Sequence, residues 1–121
     1  MINKKTLILG ATTNATRYAY LAAERLSNNG HHIINVGLKT GTVAGVSIEM
    51  PEVIYTDIDT ITLYINPEKQ QLLYDYIIKT NPKRIIFNPG TENPELQKLA
   101  NARGIATEYA CTLVLLMLGQ Y

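Results

Sequence analysis

The chain contains one cysteine, Cys111, so no disulfide can close within it. Its stability must come from a core, and a reducing compartment suits it. It also lacks an excess of either charge: 11 lysines and arginines against 10 carboxylates leave +1 at pH 7. Without a broad basic field, nucleic acid is not an expected partner. Long hydrophobic runs are missing too. The longest, Leu113–Leu118, falls far short of the roughly 20 residues that a membrane-spanning helix requires. Met1-Ile2-Asn3-Lys4-Lys5 leads directly into a strand-like segment, without the apolar region of a signal peptide. The expectation is a cytoplasmic protein with no membrane partner. Its 121 residues suit a single domain spanning residues 1–121, and 46% apolar residues suffice for a core.

What is present is an alternation of short apolar runs and helical patterns. Thr6-Leu7-Ile8-Leu9 reads as a buried strand ended by Gly10. Ala15, Ala19, Ala22, Ala23 and Leu26 then recur at helical spacing up to Asn28-Asn29-Gly30. His32–Val36 is a second strand, ended by Gly37. This βαβ unit has the size of a mononucleotide-binding half. Lys39–Glu49 is a loop in which Val46–Ile48 forms a brief edge strand. Thr60–Ile65, rich in β-branched and aromatic residues, is the third main strand, Arg84–Phe87 the fourth and Ile105–Glu108 the fifth. Asn66-Pro67-Glu68 and Asn93-Pro94-Glu95 are helix starts, with Asn as cap, Pro at the first helical position and Glu at the positive end of the dipole. Cys111–Gly119 fits a last helix beginning near Thr112 or a sixth strand; the helix is favoured. The pattern predicts an α/β fold: a doubly wound, mainly parallel five-stranded sheet of Rossmann type, order 3-2-1-4-5, with helices on both faces. Ligands of such sheets bind beyond the carboxyl ends of the strands, near the point where the order reverses. That gathers the loops at Gly10, Gly37, Asn66 and Asn88 around one crevice.

The complete dinucleotide-binding fingerprint is absent. Gly10-Ala11-Thr12-Thr13-Asn14-Ala15-Thr16-Arg17 keeps the strand-end glycine, but Thr12 and Ala15 replace the second and third glycines of G-x-G-x-x-G. A segment of this kind can still hold phosphate through backbone N–H groups, the helix dipole and threonine hydroxyls, with the guanidinium fork of Arg17 added. The alternative is an ordinary turn with a surface arginine. Also absent is the carboxylate that would hold the ribose of NAD after the second strand; Gly37-Leu38-Lys39 stands there instead. Lys39 suits a ligand with an extra ribose phosphate, such as NADP or coenzyme A, unless it is simply solvated. Asn88-Pro89-Gly90-Thr91-Glu92-Asn93 either walls the pocket or only connects strand to helix.

No catalytic constellation is visible. His31 and His32 lie at the far end of the second strand without metal-ligand spacing. Asp57 and Asp59 precede the third strand, and Glu92 and Glu108 have no catalytic partner. Cys111 is either a reactive thiol, which would require a lowered pKa, or an inert cysteine, and the inert reading is favoured. No catalytic and no metal-binding residue is expected.

Taken together, Leu7-Ile8-Leu9-Gly10-Ala11 with Asn14 and Arg17, Ile34–Lys39, Thr60–Pro67, Phe87–Glu95 and Ala110–Leu116 resemble the small stand-alone coenzyme A-binding domain proteins. Their fold is similar to that of the CoA-binding domain of the succinyl-CoA synthetase α subunit. The resemblance implies that CoA or an acyl-CoA is bound without evident chemistry. It implies that Gly10, Ala11, Thr12, Thr13, Asn14 and Arg17 hold phosphates and that Lys39 meets a further one. Ile65 would pack near the adenine, and Asn88, Pro89 and Gly90 near the pantetheine arm. Gly37-Leu38 departs from the Asn-Pro that many members carry before the lysine. Two other readings stand beside this one. An NADP-dependent enzyme or a CoA-ligase component would need a catalytic group from a partner chain. A ligand-free interaction module would assemble through the Leu113–Leu118 run, which also motivates an expected homodimer.

Overall fold

The computed structural model describes residues 2–121. Seven strands form one sheet: β1 (Thr6–Leu9), β2 (Ile33–Val36), β3 (Thr42–Val43), β4 (Val46–Glu49), β5 (Thr60–Leu63), β6 (Arg84–Phe87) and β7 (Ala106–Tyr109). Their order is β3-β4-β2-β1-β5-β6-β7, with every pairing parallel except β3 against β4. The α/β, doubly wound character is as expected, but the five-stranded order 3-2-1-4-5 is not. Thr60–Leu63 does not lie beside β2. It pairs with the other side of β1, in the register Leu7↔Ile61.

The reason lies in the segment after β2. Ala44 and Gly45 both take positive φ (53° and 77°), which closes β3 and β4 into a tight hairpin. The buried Asn35 of β2 donates its amide to Val43 O and Val46 O, both at 3.1 Å, and so ties the hairpin to the sheet. β4 then pairs with β2 (Asn35↔Ile48) and occupies the place beside it. Its largely exposed pattern suits an outer position, whereas all four residues of β5 are buried and need neighbours on both sides.

Both faces of the sheet are covered, which is why the central strands read as continuous apolar runs. Helix α1 (Tyr18–Asn28) lays Ala19, Ala22, Ala23 and Leu26 on Ile8, Ile33 and Ile48. The tail forms a helix, α5 (Thr112–Met117), whose Leu113 and Leu116 join that layer. Val114, Met117 and Leu118 stay exposed, Met117 at 74%. On the opposite face, α2 (Pro67–Gln70), a 3-10 turn (Gln71–Leu73), α3 (Tyr74–Thr80) and α4 (Pro94–Ala102) bring Tyr76, Ile77, Leu96 and Ala100 onto Leu7, Leu9, Leu63 and Phe87. Asn66 and Asn93 cap α2 and α4 through Lys69 N (3.0 Å) and Leu96 N (3.2 Å), with Pro67 and Pro94 following, as their sequence signals predict. No helix among the described residues is long and apolar enough to cross a membrane.

The amino ends of the strands are closed by the tail. The Tyr121 hydroxyl and Thr6 Oγ1 share a hydrogen bond of 2.6 Å, and Lys4 Nζ and Arg84 Nη1 donate to Tyr121 O. The Arg84 guanidinium stands 4.6 Å from the Tyr121 ring centre, and the His31 ring 5.0 Å from it. His31 Nδ1 accepts from Lys4 N (3.0 Å), so the imidazole is needed neutral. Burial, then the neighbouring Lys4 and Arg84 charges, hold its pKa below the ordinary value, against a smaller opposing effect of Asp59. The unfolded chain therefore takes up a proton near pH 6.5 that the folded chain resists. This part of the stability is present above about pH 6.5 and lost as pH falls through the window down to the folded pKa. Denaturant melts between pH 7 and pH 5 should show the loss, and His31→Asn should flatten it. An identical pH slope in the variant would remove His31 from the account.

Candidate functional site

Three loops press together at the carboxyl ends of β1, β2 and β5. Gly10 ends β1 with φ +102°, and a Cβ there would stand 2.8 Å from Tyr64 O and 3.0 Å from Ile65 Cγ1. A side chain at Gly37 would meet Ala11 O at 2.4 Å, and one at Gly41 would meet Thr13 Cγ2 at 2.3 Å. The N–H groups of Gly10 and Ala11 both donate to Val36 O at 2.9 Å. The first loop is thus anchored to β2 behind it, with the 37–41 segment on one side and Tyr64–Ile65 on the other. This is the reversal point of the sheet, between β1 and β5, where ligands of this architecture bind.

Within the first loop, Asn14 Oδ1 accepts from Thr16 N (3.0 Å) and Thr16 Oγ1 (2.7 Å), while Thr12 Oγ1 accepts from Asn14 N (3.1 Å). These local bonds compete with helical ones. They explain why α1 begins at Tyr18 and not near Ala15. Arg17, the residue before α1, gives its helix no side-chain cap, in contrast to Asn66 and Asn93. Helix N-termini without such partners present free N–H groups and a partial positive charge. Thr13, Asn14 and Arg17 are exposed. Lys39 is also exposed, between the two glycines that touch the first loop. Among the described residues the one ion pair within 4 Å joins Arg84 to Glu108, so Arg17 and Lys39 carry no carboxylate partner. The structure packs the loop that holds Gly10, Ala11, Thr12, Thr13 and Asn14 against Ile65 and against the 37–41 segment that carries Lys39, and Arg17 follows at the start of α1.

Asn88 is placed differently from the expectation that it lies beside the first loop. β5 intervenes between β1 and β6. The Asn88 side chain is 2% exposed and turned inward. It donates to Thr62 Oγ1 (2.8 Å) and Leu63 O (2.9 Å) and accepts from Thr112 N (2.9 Å). Thr62 and Thr112 share a further bond of 2.7 Å. Asn88 therefore pins β5, β6 and the start of α5 together and leaves Pro89 and Gly90 as the exposed part of its loop. Beside this cluster the Tyr64 hydroxyl is buried, and burial pushes its pKa up to about 12 against smaller opposing effects of the Thr62 and Thr112 hydroxyls. It is a neutral phenol, unsuited to act as a base near neutral pH.

Two open clefts, of about 280 and 420 Å3, lie at the other end of the sheet. The first is lined by Lys4, His31 and Tyr121 among others, the second by Tyr55, Asp57, Lys79 and Lys83. Neither touches the Gly10 rim. A cationic, uncapped loop at the reversal point suits an extended anionic ligand lying along the surface.

Residues 4–117 match the family described as CoA binding domain. The chain belongs to the CoA-binding domain family. A crystal structure of an uncharacterized protein is 51% identical, covers 100% of both chains and superposes with a TM-score of 0.97. A hypothetical protein from Pyrococcus horikoshii OT3 is 25% identical over 93% of this chain and 80% of its own, with a TM-score of 0.81. The structure of cell-free ID.343 from Thermus thermophilus is 17% identical over 98% of this chain and 91% of its own, with a TM-score of 0.82, and shows likeness of fold alone. No curated protein matches the sequence.

Sequence reasoning missed several polar residues of this CoA-binding domain that hold its loops in place. Gln70, Thr62, Thr91 and Thr112 are all buried and hydrogen-bonded. Gln70 sits in a helix whose other residues read as solvated, and only its place above the sheet distinguishes it. An available signal was the Asn-Pro-Glu repeat at Asn66 and Asn93, which marks the two helix starts that Gln70 joins.

Proposed function

We propose that the crevice binds coenzyme A or an acyl-CoA and that the chain itself performs no reaction on it. In this reading Gly10, Ala11, Thr12, Thr13, Asn14 and Arg17 hold the diphosphate, and Lys39 meets the ribose phosphate. Ile65 flanks the adenine, and Asn88, Pro89 and Gly90 flank the pantetheine arm, Asn88 through its backbone. The observation that carries the reading is the convergence of two unpaired cations and an uncapped helix start at the reversal point of the sheet.

Titration calorimetry with CoA, acyl-CoAs and dephospho-CoA at physiological salt tests it. Arg17→Ala is expected to weaken CoA binding about tenfold, through loss of a charge-assisted hydrogen bond. Lys39→Ala should weaken CoA but leave dephospho-CoA, which lacks the ribose phosphate, nearly unaffected. Absence of heat and of any thermal shift with CoA at millimolar concentration would end the proposal. Equal losses for CoA and dephospho-CoA in Lys39→Ala would move that lysine away from the ribose phosphate. The exposed Val114, Met117 and Leu118 suit a homodimer, and light scattering that finds a monomer at high concentration would refute that part.

A further inference from the structure

Gln70 is the last residue of α2, a helix of four residues, and is 0% exposed. Its amide is used on both sides. Nε2 donates to Ile65 O at 2.7 Å and to Thr91 O at 2.8 Å, and Oε1 accepts from Asn93 Nδ2 at 2.9 Å. Ile65 belongs to the loop after β5, while Thr91 and Asn93 belong to the loop after β6. Asn93 Nδ2 also donates to the Tyr74 hydroxyl (2.9 Å), which donates to Glu95 Oε1 (2.9 Å), so the bridge continues into the start of α4. At the base of the second loop, Thr91 N and Oγ1 both donate to Asn88 O.

We infer that Gln70 is a positioning residue that joins the loops after β5 and β6 into one wall of the crevice, so that ordering one loop orders the other. The inference rests on the reading of the crevice as a CoA site and deepens it: Ile65 and Pro89-Gly90, assigned there to opposite ends of the ligand, are set relative to one another by a single amide. The physical ground is that no shorter or apolar side chain satisfies two carbonyls and an amide N–H at once. A buried carbonyl left without a donor is costly, so the loops do not separate while the glutamine is present. Thr91 carries this constraint to the exposed tip, Pro89 and Gly90, and the Gly90 N–H closes the loop on Glu92 Oε1 at 2.8 Å.

Gln70→Met keeps the length of the side chain and removes all three bonds. Hydrogen exchange of the ligand-free protein should show the amides of Lys69 and Thr91, one in each region, opening together about tenfold faster, while Leu7 and Ile61 in the sheet are unchanged. CoA should bind about tenfold more weakly. Thr80→Val, which removes the Thr80-to-Tyr76 O bond far from the crevice, is the control: it should lower stability without either effect. Should Gln70→Met fail to fold, Gln70→Asn keeps the amide but is one methylene too short to reach both carbonyls, and the same results are expected of it. Faster exchange confined to one region, or a CoA affinity of Gln70→Met equal to that of a wild type that binds CoA, would overturn the inference. If the wild type takes up no CoA, the ligand reading falls, and the exchange pattern alone still decides whether Gln70 couples the loops.

Discussion

Gly37→Ala is expected to destabilise the protein by about 3 kcal/mol, the upper part of the range for overpacking a rigid interior, and to abolish the CoA binding proposed for the first loop. The added methyl would stand 2.4 Å from Ala11 O and 3.2 Å from Ile48 Cγ2. Neither neighbour can retreat cheaply. Ala11 is fixed by its N–H bond to Val36 O, Gly37 itself donates to Glu49 O (3.0 Å), and Ile48 is part of the core. The clash is therefore backbone against Cβ, with no flexible side chain to absorb it. A fall in melting temperature of about 10 °C should accompany the substitution. Gly45→Ala is the comparison, because nothing lies within 4 Å of its Cβ position and only its positive φ is strained. Comparable melts for wild type and Gly37→Ala would show that the first two loops are not packed as tightly as described.

Asn88→Ala should be nearly as costly, for a different reason. Truncation leaves Leu63 O and Thr112 N without partners in a buried site, while Thr62 and Thr112 keep only their mutual bond. Unsatisfied buried groups cost about 1–3 kcal/mol each, so a total of about 3 kcal/mol is expected. Because the N–H of Thr112 is the first of α5, the loss should show as early unfolding of that helix. Hydrogen exchange at Leu115 and Leu118, whose amides donate to Cys111 O and Val114 O, would report it before global melting. Uniform loss of protection across the whole sheet, with α5 no weaker than the rest, would argue against Asn88 as the pin of the tail.

These two positions also show where sequence reasoning reached and where it stopped. The glycines at the ends of β1 and β2 were legible as strand terminators, and Asn88 as part of a special turn. That Gly37 touches Ala11, or that Asn88 turns its amide inward, depends on which strands are neighbours. Hydrophobic periodicity says that Thr60–Leu63 is a buried strand but not which side of β1 it takes. The expected order 3-2-1-4-5 departs from the observed one because β3 contributes only two residues, Thr42 and Val43, too few for any periodic signal. The brief edge strand expected at Val46–Ile48 reads as an accessory, whereas β4 (Val46–Glu49) takes the place beside β2.

By itself the sequence determined the alternation of strands and helices, the two Asn-Pro helix starts, the cationic first loop and the want of a ribose-binding carboxylate. Each of these is local, fixed by backbone preference, spacing or the chemistry of a few adjacent residues. Only the tertiary structure decided the seven-stranded order, the docking of Tyr121 among Thr6, His31 and Arg84, and the inward amides of Asn88 and Gln70. Those are contacts between residues far apart in the chain. Their energy depends on burial and on the satisfaction of hydrogen bonds, which no residue possesses until its neighbours are in place.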